Sequence, residues 1–209
     1  MKIALVNGSP KGKDSVSALL LQELKELLGG AEFIEISVRP AAGESLGSLG
    51  DQDAVVFAFP TYVDGVPSHL LRALVQGEDR LRERSLGSGP VVYAIANCGF
   101  FEASQNRHSL AILESWCART GLVWGQGVGI GAGPALAAVA RIPPGSGPRR
   151  KVSGALRILA GRIRQKSGGE NLFASPGLPR FLYRFFGELG WREQVRAHGL
   201  RPRDLALRR

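Results

Sequence analysis

Gly8-Ser9-Pro10-Lys11-Gly12-Lys13-Asp14-Ser15-Val16-Ser17 stands between an apolar run, Ile3-Ala4-Leu5-Val6, and a segment whose leucines at 20, 24, 27 and 28 keep helical spacing. Three hydroxyls, two lysines and two glycines therefore fall at a strand-to-helix turn. A helix start leaves backbone N–H groups unpaired, with the positive end of the helix dipole behind them. Serines and amides there can wrap a phosphate, and lysines add charge. The stretch is not a Walker loop, since no Gly-Lys-Ser/Thr follows at the required spacing, and Gly-x-Gly-x-x-Gly is absent. A solvated turn with a serine cap remains the plainer reading.

Working outward, Glu32–Ile36 alternates loosely and reads as a strand near a sheet edge. Ala54–Phe59 and Val91–Ala96 are apolar on both faces, and Val123–Ile130 is a glycine-heavy fifth strand. Pro40–Gly50 reads as loop with at most one short turn. Helices are expected from Ser15 to Leu28, from Pro67 through Leu74, and from Ser104 to about Thr120, with Gly29-Gly30 closing the first. Strands alternating with helices argue for one α/β domain, a parallel sheet covered on both faces. After Pro134 the character changes. A Pro/Gly link at 143–148 precedes two basic amphipathic helices, Val152–Ile163 and Pro179–Leu189. We therefore expect a domain over 1–134 and a helical extension over 135–209, packed on that domain or on a dimer partner.

The chain has 209 residues, 44% of them apolar, a mean hydropathy near zero and a net charge of +9. This composition excludes a disordered chain. Residues 1–130 carry 11 Lys+Arg against 14 Asp+Glu, and residues 131–209 carry 16 against 4, so the basic character belongs to the last third. That third could meet an acidic partner, lipid headgroups or nucleic acid, but a solvated surface is the favoured reading. No signal-peptide pattern follows Met1, and no apolar run approaches the about 18 residues of a membrane span. Cys98 and Cys117, 19 positions apart, form neither a disulfide framework nor a metal or iron–sulfur spacing. A cytoplasmic home is the simplest expectation.

In such a sheet, ligands bind outside the carboxyl ends of the strands where strand order reverses. The loops after the first, third and fourth apolar strands leave that edge. The second of them, Pro60–Pro67, offers Tyr62 as a flat surface together with backbone groups. The third offers Asn97, small Cys98, Gly99 and Phe100. A phosphate cradle beside two aromatic-bearing loops suits a phosphorylated planar ligand, and flavin mononucleotide (FMN) has that shape.

Asn7-Gly8-Ser9-Pro10-Lys11 with serines at 15 and 17, Phe59–Pro67, and Asn97–Ala103 resemble the flavin loops of the NAD(P)H-dependent FMN reductase family. The glycines at 129–134 and the tail from Gly190-Trp191 to Asp204-Leu205 resemble its oxidoreductase branch. The resemblance implies a flavodoxin-like three-layer sandwich with five parallel strands ordered 2-1-3-4-5, a homodimer, FMN as cofactor and NAD(P)H as co-substrate. It places the phosphate on Ser9, Lys11, Ser15, Val16 and Ser17. The isoalloxazine ring would lie between Pro60, Thr61, Tyr62 and Val63 on one side and Asn97, Cys98, Gly99 and Phe100 on the other. Lys11–Asp14 departs from the family pattern, where Asn or Thr is commoner, and Asp14 adds a negative charge near the phosphate. The implied activity passes hydride from nicotinamide to flavin and on to a quinone, a nitro- or azo-aromatic, or another flavin, with no protein acid or base. The alternatives are a flavodoxin-like electron carrier that docks an acidic partner, and a nucleic-acid or lipid-binding module. Cys98 reads as structural or as a backbone contact, and His69 and His108 as surface or capping residues. The aromatics at 181–186 read as dimer or core packing.

Overall fold

The computed structural model describes residues 1–40, 46–84, 89–201, 203 and 204; the reading of 41–45 as loop, and Leu205 of the tail, lie outside them. Every long apolar run forms a strand: β1 (Lys2–Asn7), β3 (Ala54–Pro60) and β4 (Val91–Asn97), with β2 (Glu32–Ser37) and β5 (Val123–Ile130) beside them. Alternate side chains along each central strand enter two separate cores. Ile3, Leu5, Val56, Tyr93 and Ile95 pack with α1 (Val16–Leu27) and α5 (Arg150–Arg164). Ala4, Val6, Phe57, Phe59 and Ala94 pack with α2 (Ser68–Arg84) and α3 (Arg107–Thr120). Continuous apolar runs are thus what a sheet between two helix layers demands. Strand β2 is one edge, which explains its weaker alternation.

The expected five strands become six. The order is β2-β1-β3-β4-β5-β6, all pairs parallel, and β6 (Leu172–Ala174) joins β5 with Val128 opposite Leu172 and Ile130 opposite Ala174. Three residues carry no periodicity to read. The strand is held instead by what surrounds it: Gly127 N–H donates to Asn171 Oδ1 at 2.7 Å and Gln126 Nε2 to the Glu170 carbonyl at 2.6 Å. The glycines of β5 have a matching reason. A Cβ on Gly125 would stand 2.4 Å from Cε1 of Tyr93, so the buried ring needs a bare backbone beside it.

A short α4 (Gly133–Ala138) follows β5. Residues 1–176 form one compact unit that includes α5 and β6, and residues 177–209 form a second, built on α6 (Arg180–Ala197). No helix among the described residues is long and apolar enough to cross a membrane.

Candidate functional site

Strand order reverses between β1, whose chain crosses to β2, and β3 on its other side. The loops leaving β1, β3 and β4 at their carboxyl ends meet at that point. The first is a compact cradle. Asn7, the last residue of β1, receives the Ser9 N–H on Oδ1 at 3.0 Å and donates from Nδ2 to the Gly12 carbonyl at 2.9 Å. A tight turn over Gly12–Asp14 then delivers the chain to α1. Gly8 is required here: a Cβ would stand 2.5 Å from Leu70 of α2, and the Gly8 N–H donates to Ala58 of β3.

The three serines of this loop do different work. Ser15 caps α1, accepting the Ala18 N–H at 3.1 Å and donating its proton to the Gly12 carbonyl at 2.6 Å, so its hydroxyl is fully committed within the chain. Ser9, 2% exposed, accepts the Lys11 N–H at 3.4 Å. Ser17, 1% exposed, accepts from Asn97 Nδ2 at 2.9 Å. Each of these two hydroxyls acts as an acceptor, and among the described residues neither donates its own proton. The first-turn N–H groups of Val16 and Ser17 have no helical acceptor, as at any helix start. Lys11 and Lys13 stand exposed beside them. The guanidinium of Arg39 covers the face of Gly12, where its Nη2 would meet a Cβ at 3.3 Å.

The second loop starts at half-buried Pro60, where β3 ends. Tyr62 and Gly65 exchange backbone hydrogen bonds at 3.0 Å around Val63 and Asp64, both in the left-handed region at φ 48° and 58°. This tight reversal leaves Tyr62 and Val63 exposed. Thr61 points the other way. Its N–H donates to the Asn97 carbonyl at 2.7 Å, and its hydroxyl donates to Asn106 Oδ1 at 2.7 Å and lies 3.0 Å from Ser109 Oγ.

In the third loop Asn97 also turns inward, donating to Ser17 Oγ and to the Phe59 carbonyl at 3.0 Å. Cys98 is buried, its N–H on Ile130, its carbonyl on the Gly133 N–H, and its sulfur receiving Asn106 Nδ2 at 3.4 Å. Burial pushes the Cys98 thiol up from its ordinary pKa, which leaves it protonated and unreactive near neutrality. Gly99 and Phe100 are exposed.

The expected site residues thus divide. Ser9, Lys11, Val16, Ser17, Tyr62, Val63, Gly99 and Phe100 lie along this edge without spending their side chains on holding the loops, and half-buried Pro60 closes β3 beside them. Ser15, Thr61, Asn97 and Cys98 spend their side chains on holding the loops. Three organising roles were not anticipated: those of Asn7, of Asn106 (which joins the second and third loops and donates to the Ile130 carbonyl at 3.1 Å), and of His69, expected as a surface or capping residue, whose Nε2 donates to the Gly8 carbonyl at 3.1 Å. A groove of about 540 Å³ adjoins the cradle on the β2 side, sharing Asn7, Lys13 and Ser15 with it and lined further by Lys25, Glu35 and Arg39.

At the level of sequence, no family model and no curated protein matches the chain. Solved structures do. The chain is similar to a flavone reductase at 13% identity and TM-score 0.55, covering 81% of this chain and 66% of that one. It is similar to an azoreductase from Bacillus anthracis str. Sterne at 13% identity and TM-score 0.52, covering 79% and 99%. It is also similar to oxidised flavodoxin 1 from Bacillus cereus at 11% identity and TM-score 0.56, covering 79% and 98%. The chain spans about two thirds of the length of the flavone reductase. At such identities the likeness is one of fold. The chain is a flavodoxin-like parallel α/β protein, its sheet extended by β6.

Proposed function

We propose that the chain binds FMN at the β1/β3 switch point and works as an NAD(P)H-dependent flavin oxidoreductase. The observation that carries this reading is the pair of buried hydroxyls, Ser9 and Ser17, each accepting within the chain and each with a proton left to give. Beside them stand the N–H groups at the start of α1 and the lysines of the loop. This donor set fits a phosphate dianion and would be wasted on a neutral ligand. The site resemblance in the three loops and the flavodoxin-like fold support the same ligand.

In this reading Ser9, Ser17 and the Val16 and Ser17 amides hold the phosphate, with Lys11 and Lys13 neutralising it and offsetting Asp14. Tyr62 and Phe100 supply exposed aromatic surface on the two loops assigned to the ring. Bound FMN would supply the redox chemistry, taking hydride from NAD(P)H and passing electrons to an acceptor such as a quinone, a nitro- or azo-aromatic, or a second flavin. The chain itself orients the reactants and keeps the loops rigid. Cys98, buried and protonated, takes no part. The resemblance adds a homodimer to this reading.

An electron carrier with the same fold is the second reading, and the reductase and flavodoxin neighbours match the chain about equally well in TM-score. Anaerobic mixing of the FMN-loaded protein with NADPH or NADH separates the two. Rapid bleaching of the flavin absorbance supports the oxidoreductase. A spectrum that bleaches only with dithionite removes it in favour of the carrier.

A further inference from the structure

Helix α6 carries an apolar stripe on its first half. Phe181, Leu182, Phe185, Phe186 and Leu189 recur at one, four, five and eight positions from the first, an arc of about 140° on a helix of 3.6 residues per turn. Phe181, Phe185 and Phe186 are 69%, 56% and 61% exposed, and Trp191 is exposed beyond them. Phe185 and Phe186 contact one another edge to face, with ring centroids 5.8 Å apart. The line that runs through Phe181, Phe185 and Leu189 continues along the helix into Arg192 and Arg196. Arg184 flanks the stripe, and the shallow surface around Phe181 and Phe185 is bordered by Arg180, Arg184 and Glu188. Over residues 177–209 there are eight arginines, no lysine and three acidic residues, a net charge of +5 in a segment that is a compact unit of its own.

We propose that α6 is a membrane-surface helix that seats its Phe-rich first half in an anionic bilayer surface, with the arginines at the headgroups. Exposed Phe and Leu beside arginines, on a helix too polar to span a bilayer, is the composition of an interfacial helix. The charge selects the occupant. A second copy seated on this stripe would bring two units of net +5 together, whereas anionic lipid complements them. Arginine stems also lie on apolar surface while the guanidinium stays with phosphate. This inference does not rest on the flavin reading.

The test is sedimentation of the full chain with vesicles of phosphatidylcholine alone and of phosphatidylcholine mixed with phosphatidylglycerol, with and without added salt. The expected result is at least about tenfold tighter binding to the anionic vesicles, weakened by salt. Phe181→Ser/Phe185→Ser/Phe186→Ser should reduce binding to background with an unchanged far-ultraviolet spectrum. Arg184→Gln/Arg192→Gln/Arg196→Gln should remove the preference for anionic lipid. No binding by the unmodified chain overturns the proposal. So does equal binding by the Phe variant, which would leave only diffuse charge. A dimer that the Phe variant converts to monomer, with no vesicle binding, would assign the stripe to a second copy instead.

Discussion

The side-chain amide of Asn97 donates to the hydroxyl of Ser17 at 2.9 Å, joining the end of β4 to the first turn of α1 across 80 residues of chain. This contact links two of the three loops and fixes the direction of the Ser17 proton. Asn97→Ala should therefore do two things. It should destabilise the fold by about 1–3 kcal/mol, since the Phe59 carbonyl also loses its donor. It should also weaken FMN more than riboflavin, because Ser17 is no longer aimed. Urea unfolding and flavin titration read the two effects separately.

A second buried pair sets the position of α1 itself. Glu23 and Arg149 are each 4% exposed at the side chain and meet at 2.5 Å, with Arg149 also donating to the carbonyls of Ala140 and Ile142 at 2.8 Å. Removing one partner leaves a buried charge alone. Arg149→Met should cost about 3–5 kcal/mol, and Glu23→Leu/Arg149→Met should recover most of it. A double variant as unstable as the single one in urea would contradict this assignment.

Alkaline titration probes the same face of the sheet, under α5. Desolvation pushes the Tyr93 phenol up to about 12, and its hydroxyl donates to the Arg162 carbonyl at 3.0 Å. Folding thus favours the neutral phenol. The stability that this supplies is complete below the unfolded tyrosine value of about 10 and is lost as pH rises through the folded value. Absorbance at 295 nm should show a late ionising tyrosine that disappears in Tyr93→Phe. An unchanged late phase in that variant would count against the assignment.

Much of the fold was legible because β1, β3 and β4 are buried on both faces and read as unbroken apolar runs. Strand β6 was not, because Leu172–Ala174 is held by β5 and Asn171 and not by a pattern of its own. The loops of the site were legible by composition, but the directions of their side chains were not. Thr61 and Asn97 turn inward to partners 45 and 80 residues away, and no local pattern records such distances. Asn7 and Asn97 share one signal that could have marked them. Each is a polar residue closing a buried strand at the ligand edge of the sheet.

If the reaction relies on ring surface and not on a titrating side chain, Tyr62 should matter more than Cys98 or His108. Tyr62→Ala should slow flavin reduction by NAD(P)H, and Tyr62→Phe should be nearly silent. Cys98→Ala and His108→Ala should each cost less than about tenfold, under about 1.4 kcal/mol of barrier. Stopped-flow reduction of the FMN-loaded variants measures all four. Loss of reduction in Cys98→Ala with FMN still bound would show that the thiol is needed after all.

The phosphate cradle is the centre of this account, and paired titrations of FMN and riboflavin test it most directly. The unmodified chain should bind FMN well above riboflavin. Ser9→Ala/Ser17→Ala should weaken FMN by about one to two decades per lost charge-assisted contact, at about 1.5–3 kcal/mol each, while riboflavin changes little. Equal affinity for the two ligands in the unmodified chain, or equal losses in the variant, would contradict the assignment of this loop to phosphate.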